Sequence, residues 1–261
     1  MEKYFDIKDK NKTIKCKIYY NNKENVDSVI LSCHGFTGSK DNKTAKALAD
    51  YVLEKYNNIA IMSFDLPGHG DDSIELLDLD ICDEYFETVI NYLKNKLGIR
   101  NIYSQGTSFG GYLTLKYISE HGNPFNKIAL RCPAVNMYDA LTDIILTDEE
   151  ISLLESGKSI GLGDDKKINF NSYFVNQLRN NNILERDYSN YSDDIIVFHG
   201  DNDTLIDFNV DRLFCSKNNI KFVPVRGADH GFNKIEDLEK CVRDMSAFYN
   251  IEFVDKKKNN K

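Results

Sequence analysis

The sequence has no apolar run that approaches the ~20 residues of a membrane-spanning helix. Its first residues, Met1 to Asp6, carry several charges and form no apolar core of a secretory signal. The formal net charge is -8, because acidic residues outnumber lysine and arginine. Such a surface is unsuited to binding the phosphates of nucleic acid. We therefore expect a cytoplasmic protein with no nucleic-acid partner and no stable membrane anchor.

The six cysteines form no CxxC pair and no spacing typical of metal ligands. In a chain of 261 residues, scattered cysteines are typical of reduced core thiols in the cytosol. The histidines and carboxylates likewise show no zinc or calcium spacing. We predict no metal and no cofactor.

Short apolar runs alternate with longer amphipathic stretches along most of the chain. The runs at 28–33, 59–64 and 128–131 predict strands, and the stretches at 44–56, 80–97, 109–119 and 235–249 predict helices. This alternation predicts an α/β fold with a mostly parallel, doubly wound sheet and helices on both faces. Ligands bind such sheets at the carboxyl ends of the strands.

Residues 136–190 break this alternation, with helical pieces, no clear strand and a turn-rich stretch from Ser156 to Gly163. We interpret them as a helical cap inserted into an α/β core of residues 1–135 and 191–254. A long insertion is often a lid or binding element, although a surface excursion without a role is the alternative. The charged residues 255–261 are predicted to be a flexible tail.

The strongest local signal is the G-x-S-x-G sequence from Gly106 to Gly110, which has a strand before it and a helix after it. That context is the one the motif requires. It predicts a sharp turn that exposes the hydroxyl of Ser108 above the sheet, as the nucleophile of a hydrolase. The alternative is a serine that only caps a helix.

A serine nucleophile needs a histidine base, which in turn needs an orienting acid. His230 lies between the last strand and the last helix, where it could reach Ser108, and we predict it as the base. His199 ends a strand and is interpreted as structural. The acid is expected on the loop after that strand, where the candidates are Asp201, Asp203 and Asp207. Asp207 is expected to begin a helix, and the residues alone do not choose between the other two.

Four segments together resemble one family: HGFTGS at 34–39, DLPGHGDDS at 65–73, GTSFGG at 106–111, and HGDND followed by ADHGF. The chain resembles the α/β-hydrolase superfamily, in particular cinnamoyl or feruloyl esterases, monoacylglycerol-lipase-like enzymes and serine aminopeptidase-like hydrolases. The resemblance implies the α/β-hydrolase fold. Its HGxxD pattern also assigns the acid of the triad to Asp203.

The oxyanion of acyl transfer needs preorganised hydrogen-bond donors. One is expected to be the backbone N–H of Phe109, directly after the nucleophile. The second is expected from the loop His34-Gly35-Phe36, and the resemblance places it at the N–H of Phe36. We predict substrate contacts at Gly35 and at Tyr138 and Leu141 of the cap, with simple packing of the cap residues as the alternative.

These residues predict a serine hydrolase that cleaves small or medium acyl and aromatic carboxylic esters through an acyl-enzyme. A thioesterase, an amidase or aminopeptidase, and an acyltransferase use the same triad and are the alternatives within enzymes. A non-catalytic binding module is the alternative from another class. The predicted partner is a small-molecule ester, and the sequence leaves open whether the chain is a monomer or a homodimer.

Overall fold

The computed structural model describes residues 1–10, 12–72, 74, 76–163 and 168–251. The strands of this part of the chain are β1 (Glu2–Asp9), β2 (Lys12–Tyr20), β3 (Ser28–Cys33), β4 (Ile59–Phe64), β5 (Asn101–Thr107), β6 (Ile128–Arg131), β7 (Ile160–Leu162), β8 (Ile168–Phe170), β9 (Ile195–Gly200) and β10 (Lys221–Val225). The predicted tail, residues 255–261, lies outside the described residues.

The α-helices are α1 (Lys43–Lys55), α2 (Leu79–Asn91), α3 (Phe109–His121), α4 (Met137–Asp139), α5 (Asp148–Glu155), α6 (Ser172–Asn180), α7 (Phe208–Lys217) and α8 (Ile235–Tyr249). Two π-helical stretches, Tyr92–Lys96 and Ala140–Ile145, follow α2 and α4. Short 3-10 turns occupy Lys23–Asn25, Ile183–Glu185 and Ser189–Asp194.

Eight strands form one sheet in the order β1-β2-β4-β3-β5-β6-β9-β10. From β4 to β10 every neighbouring pair is parallel, whereas β1 and β2 extend one edge in antiparallel pairing. The mostly parallel sheet predicted from the alternation of strands and helices is therefore confirmed. The carboxyl ends of β3, β5, β6 and β9 meet at one edge of the sheet, where the sequence predicts the site.

The two central strands β3 and β4 are buried along their whole length because helices cover both faces of the sheet. Alternate residues of β3 divide between two cores. Val29 and Leu31 pack in the core on the side of α2 and α3, and Ile30 packs in the core on the side of α1 and α8. The helices therefore hold the strand ends rigidly in place.

Two elements differ from expectation. The antiparallel edge strand β1 was not predicted, although Phe5 and Ile7 alternate toward the core as a half-buried strand requires. Within residues 136–190, where no strand was expected, β7 and β8 pair in a small antiparallel sheet. Three-residue strands carry too little periodicity to be recognised in a sequence.

The six cysteines are buried and unbridged, as predicted.

Among the described residues, no helix is long and apolar enough to cross a membrane.

Candidate active site

Ser108 occupies a sharp turn between β5 and α3. Its backbone has φ 51° and ψ -117°, a conformation that non-glycine residues avoid and that persists only where surrounding structure imposes it. Close packing imposes it here, since a Cβ atom on Gly106 would lie 2.8 Å from Cα of Gly111. The carbonyl of Ser108 accepts hydrogen bonds from the N–H groups of Gly111, Tyr112 and Ala134. The side chain of Ser108 is thus held at the carboxyl end of β5.

Gly110 lies against the end of β3. A Cβ atom there would lie 2.4 Å from the carbonyl oxygen of Cys33 and 2.5 Å from that of His34, so both backbones would have to separate. We expect Gly110→Ala to lower the free energy of unfolding by about 1–3 kcal/mol, measured by urea denaturation. An unchanged unfolding midpoint for Gly110→Ala would contradict this packing.

The loop after β3 passes directly beside Ser108. A Cβ atom on Gly35 would lie 3.2 Å from Cβ of Ser108 and 3.8 Å from its Oγ. His34 fixes this loop, because its Nδ1 donates to the carbonyl of Gly35 and its Nε2 accepts from the N–H of Leu66. Burial lowers the pKa of His34 to about 4, so the ring stays neutral and keeps both bonds. The structure thus brings Gly35 to the predicted nucleophile.

Phe36, the next residue of the loop, lies in an aromatic cluster. Its ring meets the ring of Phe109 edge to face at a centroid distance of 5.4 Å, and the rings of Phe170 and Phe174 lie at 6.0 and 6.4 Å. Edge-to-face and offset arrangements at such distances are favourable. Residues 136–190 therefore pack, through Phe170 and Phe174, on both predicted oxyanion residues.

Asp203 and His230 form a direct hydrogen bond, in which Nδ1 of the imidazole donates to Oδ2 of the carboxylate over 2.7 Å. The side chain of Asp203 is fully buried, and that of His230 is 19% exposed. This bond fixes the tautomer of the ring, so its Nε2 is free to accept a proton. The arrangement is that of an orienting acid and a base.

Every oxygen of Asp203 is occupied. Oδ1 accepts the backbone N–H groups of Leu205 and Ile206, both at 2.9 Å, and Oδ2 also lies 3.1 Å from Nε2 of His199. Burial alone would raise the pKa of Asp203, but the hydrogen bonds from His199 and His230 outweigh it and hold this pKa well below its usual range. The carboxylate is therefore anionic whenever the protein is folded near neutral pH.

His199 is the second histidine that contacts the carboxylate of Asp203. Its ring is fully buried, and Nδ1 lies 2.7 Å from Oδ2 of the buried Asp211. Burial opposes a charge on the ring, but the hydrogen bonds to Asp203 and Asp211 raise the pKa of His199 to about 9. The imidazolium then donates from both nitrogens. The sequence placed His199 near the acid loop, and it gave no sign of the partner Asp211.

The loops that carry Asp203 and His230 are bonded to each other. Asn202 donates its N–H to the carbonyl of Ala228 over 3.0 Å, and Gly227 donates its N–H to Oδ1 of Asp201 over 2.5 Å. Asp201, the other candidate for the acid, therefore accepts a hydrogen bond from the backbone of the loop that carries His230. Asp207 caps α7 through the N–H of Asn209, as expected.

Tyr138 and Leu141 lie apart from these contacts. Tyr138 lines a pocket of about 270 Å³ with Asn136 and Arg179, and its hydroxyl accepts a 2.5 Å hydrogen bond from Arg179. Leu141 is fully buried in the core. In this structure the side chain of Leu141 is therefore closed to a substrate.

Two groups of potential metal ligands occur among the described residues. One ligand atom each of Cys132, Asp203 and His230 lie within 4.8 Å of one another, but burial raises the pKa of the Cys132 thiol well above its ordinary value, and a protonated thiol is a poor ligand. The second group contains Asp83 and Glu120, whose carboxylates are both paired with Lys116. Each set of acids already has partners within the chain.

Comparison with known proteins supports the architecture. The model of a family described as alpha/beta hydrolase fold matches residues 28–151. No curated protein matches the sequence.

Solved structures with the same architecture include three that cover nearly all of the chain. Est1E from Butyrivibrio proteoclasticus is 16% identical, with a TM-score of 0.73 over 95% of this chain and 99% of that one. A structure of Est1E with ferulic acid bound is 19% identical, with a TM-score of 0.69 over 92% and 97%. A soluble variant of monoglyceride lipase from Saccharomyces cerevisiae, in complex with a substrate analog, is 18% identical, with a TM-score of 0.70 over 94% of each chain. These likenesses confirm the fold implied by the sequence.

Proposed function

We propose that this chain, which has the α/β-hydrolase fold, is a serine hydrolase that cleaves carboxylic esters. The observation that carries the proposal is the backbone of Ser108, held at φ 51° between β5 and α3. Strain of this kind is retained where it aims a functional side chain. The Asp203–His230 hydrogen bond supplies the oriented base that a serine requires.

The proposed reaction has two acyl-transfer steps. Oγ of Ser108 attacks the ester carbonyl while Nε2 of His230 takes its proton, and Asp203 stabilises the imidazolium that forms. The backbone N–H groups of Phe36 and Phe109 stabilise the oxyanion. His230 returns the proton to the leaving alcohol, which leaves the acyl group on Oγ of Ser108. Water then attacks the acyl carbonyl while His230 takes its proton, the bond to Oγ breaks, the acid leaves, and the proton passes from His230 to Oγ of Ser108.

Two features support an aromatic or medium-length acyl group. The partly exposed ring of Phe36 belongs to an aromatic cluster beside the serine turn, whose other rings, Phe109, Phe170 and Phe174, are buried. The chain is also similar in structure to Est1E, which has been seen with ferulic acid bound. The proposed substrate is therefore a small-molecule ester. Six unbridged cysteines fit a reducing compartment, and we propose the cytoplasm.

The first test is covalent labelling with a fluorophosphonate probe, followed by mass spectrometry of the labelled peptide. We expect the label on Ser108, because the probe reports a serine whose hydroxyl is activated by a base. Folded protein that takes up no label would contradict the proposal and favour a binding module.

The second test compares three linkages, ester, thioester and anilide, separately for each of two acyl groups, feruloyl and butyryl. We expect methyl ferulate and p-nitrophenyl butyrate to be hydrolysed with a higher kcat/KM than the matching thioester or anilide. A preference for the thioester or the anilide would replace the ester assignment with one of the alternative activities. Transfer of the acyl group to an added alcohol, faster than to water, would indicate an acyltransferase.

A further inference from the structure

Arg131 connects the two halves of the candidate site. It is the last residue of β6, between Thr107 of β5 and Phe198 of β9 in the sheet register, and it is 4% exposed. Its backbone carbonyl accepts the N–H of Ser108 over 3.0 Å. The peptide of Arg131 therefore holds the residue proposed as nucleophile.

The side chain of the same residue holds the loop of the proposed base. Nη1 of Arg131 donates to the backbone carbonyl of His230 over 2.6 Å. Two residues further along that loop, the ring of Phe232 lies 5.0 Å from the guanidinium carbon, which is the distance of a cation–π contact. Phe232 itself has a positive φ of 51°. The guanidinium thus contacts the loop of the proposed base at His230 itself and at Phe232, two residues after it.

The charge of Arg131 is not accounted for by an ion pair. Within the described residues no carboxylate forms a salt bridge with it, and its Nε is buried without a hydrogen-bond partner. A buried cation without a counter-ion is unfavourable for stability. A charged donor, however, makes a shorter and stronger hydrogen bond to a carbonyl than a neutral donor does. The buried side chain therefore holds the carbonyl of His230 in a fixed position.

We propose that Arg131 is a positioning residue that sets the separation between Ser108 and His230. Its backbone carbonyl binds the N–H of Ser108, and its side chain binds the backbone carbonyl of His230. The proposal rests on the proposed function and adds a residue outside the triad to it. A displacement of about 1 Å between reacting groups lowers a rate by about a hundredfold, so the loss of this link should act on kcat more than on KM.

The kinetic test compares Arg131→Met with Arg186→Met, the same substitution at an arginine that contacts the last turns of α3. We expect Arg131→Met to lower kcat by about ten- to a hundredfold, with KM changed by less than about threefold, and Arg186→Met to leave both unchanged. Arg131→Lys keeps the cation but loses the planar fork, and we expect its kcat to lie between those of Arg131→Met and wild type.

A second readout does not depend on activity. The Nδ1 proton that His230 shares with Asp203 should give a downfield proton resonance in NMR spectra, assigned by its loss in His230→Ala. In Arg131→Met this resonance should shift or broaden, whereas Arg186→Met should leave it in place. If wild type takes up no fluorophosphonate, the proposed function fails, and the resonance still decides whether Arg131 positions the ring.

The outcome that would overturn the proposal is a folded Arg131→Met protein with the kcat and the His230 resonance of wild type. Thermal melting establishes that the variant is folded at the assay temperature. If Arg131→Met does not fold, the same two measurements on Arg131→Lys decide. An unchanged kcat and an unchanged resonance in that variant would equally overturn it.

Discussion

Replacing Ser108 with alanine is expected to lower kcat for ester hydrolysis by about a millionfold, to the level that the remaining groups of the site support. Alanine has no oxygen to form the acyl-enzyme, so fluorophosphonate labelling should disappear in the same variant. The fold should persist, because alanine and serine meet the same backbone strain at φ 51°. Activity and labelling are measured on protein whose melting temperature matches wild type.

Ser104→Ala is a matched control for this result. Ser104 lies in β5, the strand that leads to Ser108, is buried like Ser108, and its Oγ has no hydrogen-bond partner in the described structure. We expect wild-type labelling and turnover in Ser104→Ala. Labelling that survives in Ser108→Ala would remove Ser108 from the proposed mechanism, whether Ser104→Ala keeps the label or loses it.

The parts of the fold that the sequence predicts are those with strong periodicity or strong turn signals. The strand Ser28–Cys33 and the helix Ile235–Tyr249 occur within the expected bounds, because one is a continuous apolar run and the other has a clear amphipathic spacing. Helix α2 gives way to a π-helical stretch at Tyr92. The apolar spacing continues through both parts, so it could not reveal the change of helix type.

The residues of the candidate site also differ in how far the sequence alone predicts them. Ser108 is recognisable because glycines at fixed offsets make the turn possible, and His230 because it follows the last strand. The choice of Asp203 over Asp201 came from the resemblance alone, since both lie on the same loop. In the structure the two differ in what they face: Asp203 is buried against His230, and Asp201 accepts from Gly227 on the outside.

Two supporting residues have no local signal at all. Arg131 appears in the sequence only as the last residue of a strand, and Asp211 only as an acid inside a helix. Their partners, His230 and His199, are 99 and 12 residues away in the chain. Such contacts depend on which strand ends are neighbours in the sheet, and strand order is set by tertiary packing rather than by local pattern.

Asp203→Asn is expected to lower kcat by about 10⁴-fold while KM changes little, because of how an amide must orient in this site. The backbone N–H groups of Leu205 and Ile206 both point at Oδ1, and they can pair only with an oxygen. The amide oxygen of the variant therefore takes that position. Its NH₂ group then faces the ring nitrogens of His199 and His230. Nε2 of His199, which donates to the carboxylate in wild type, must lose its proton in this variant, and the loss of the carboxylate lowers the pKa of His199 in that direction.

A donor facing Nδ1 of His230 reverses the tautomer of that ring. Nδ1 must then accept, so the proton of the neutral imidazole moves to Nε2, and Nε2 can no longer take the proton of Ser108. Asp201→Asn and Asp207→Asn are the matched controls, since each of these acids accepts a single backbone N–H that an amide oxygen can also accept. Both controls should keep wild-type kcat, measured with the same ester. A kcat for Asp203→Asn within about tenfold of wild type would mean that another group orients His230.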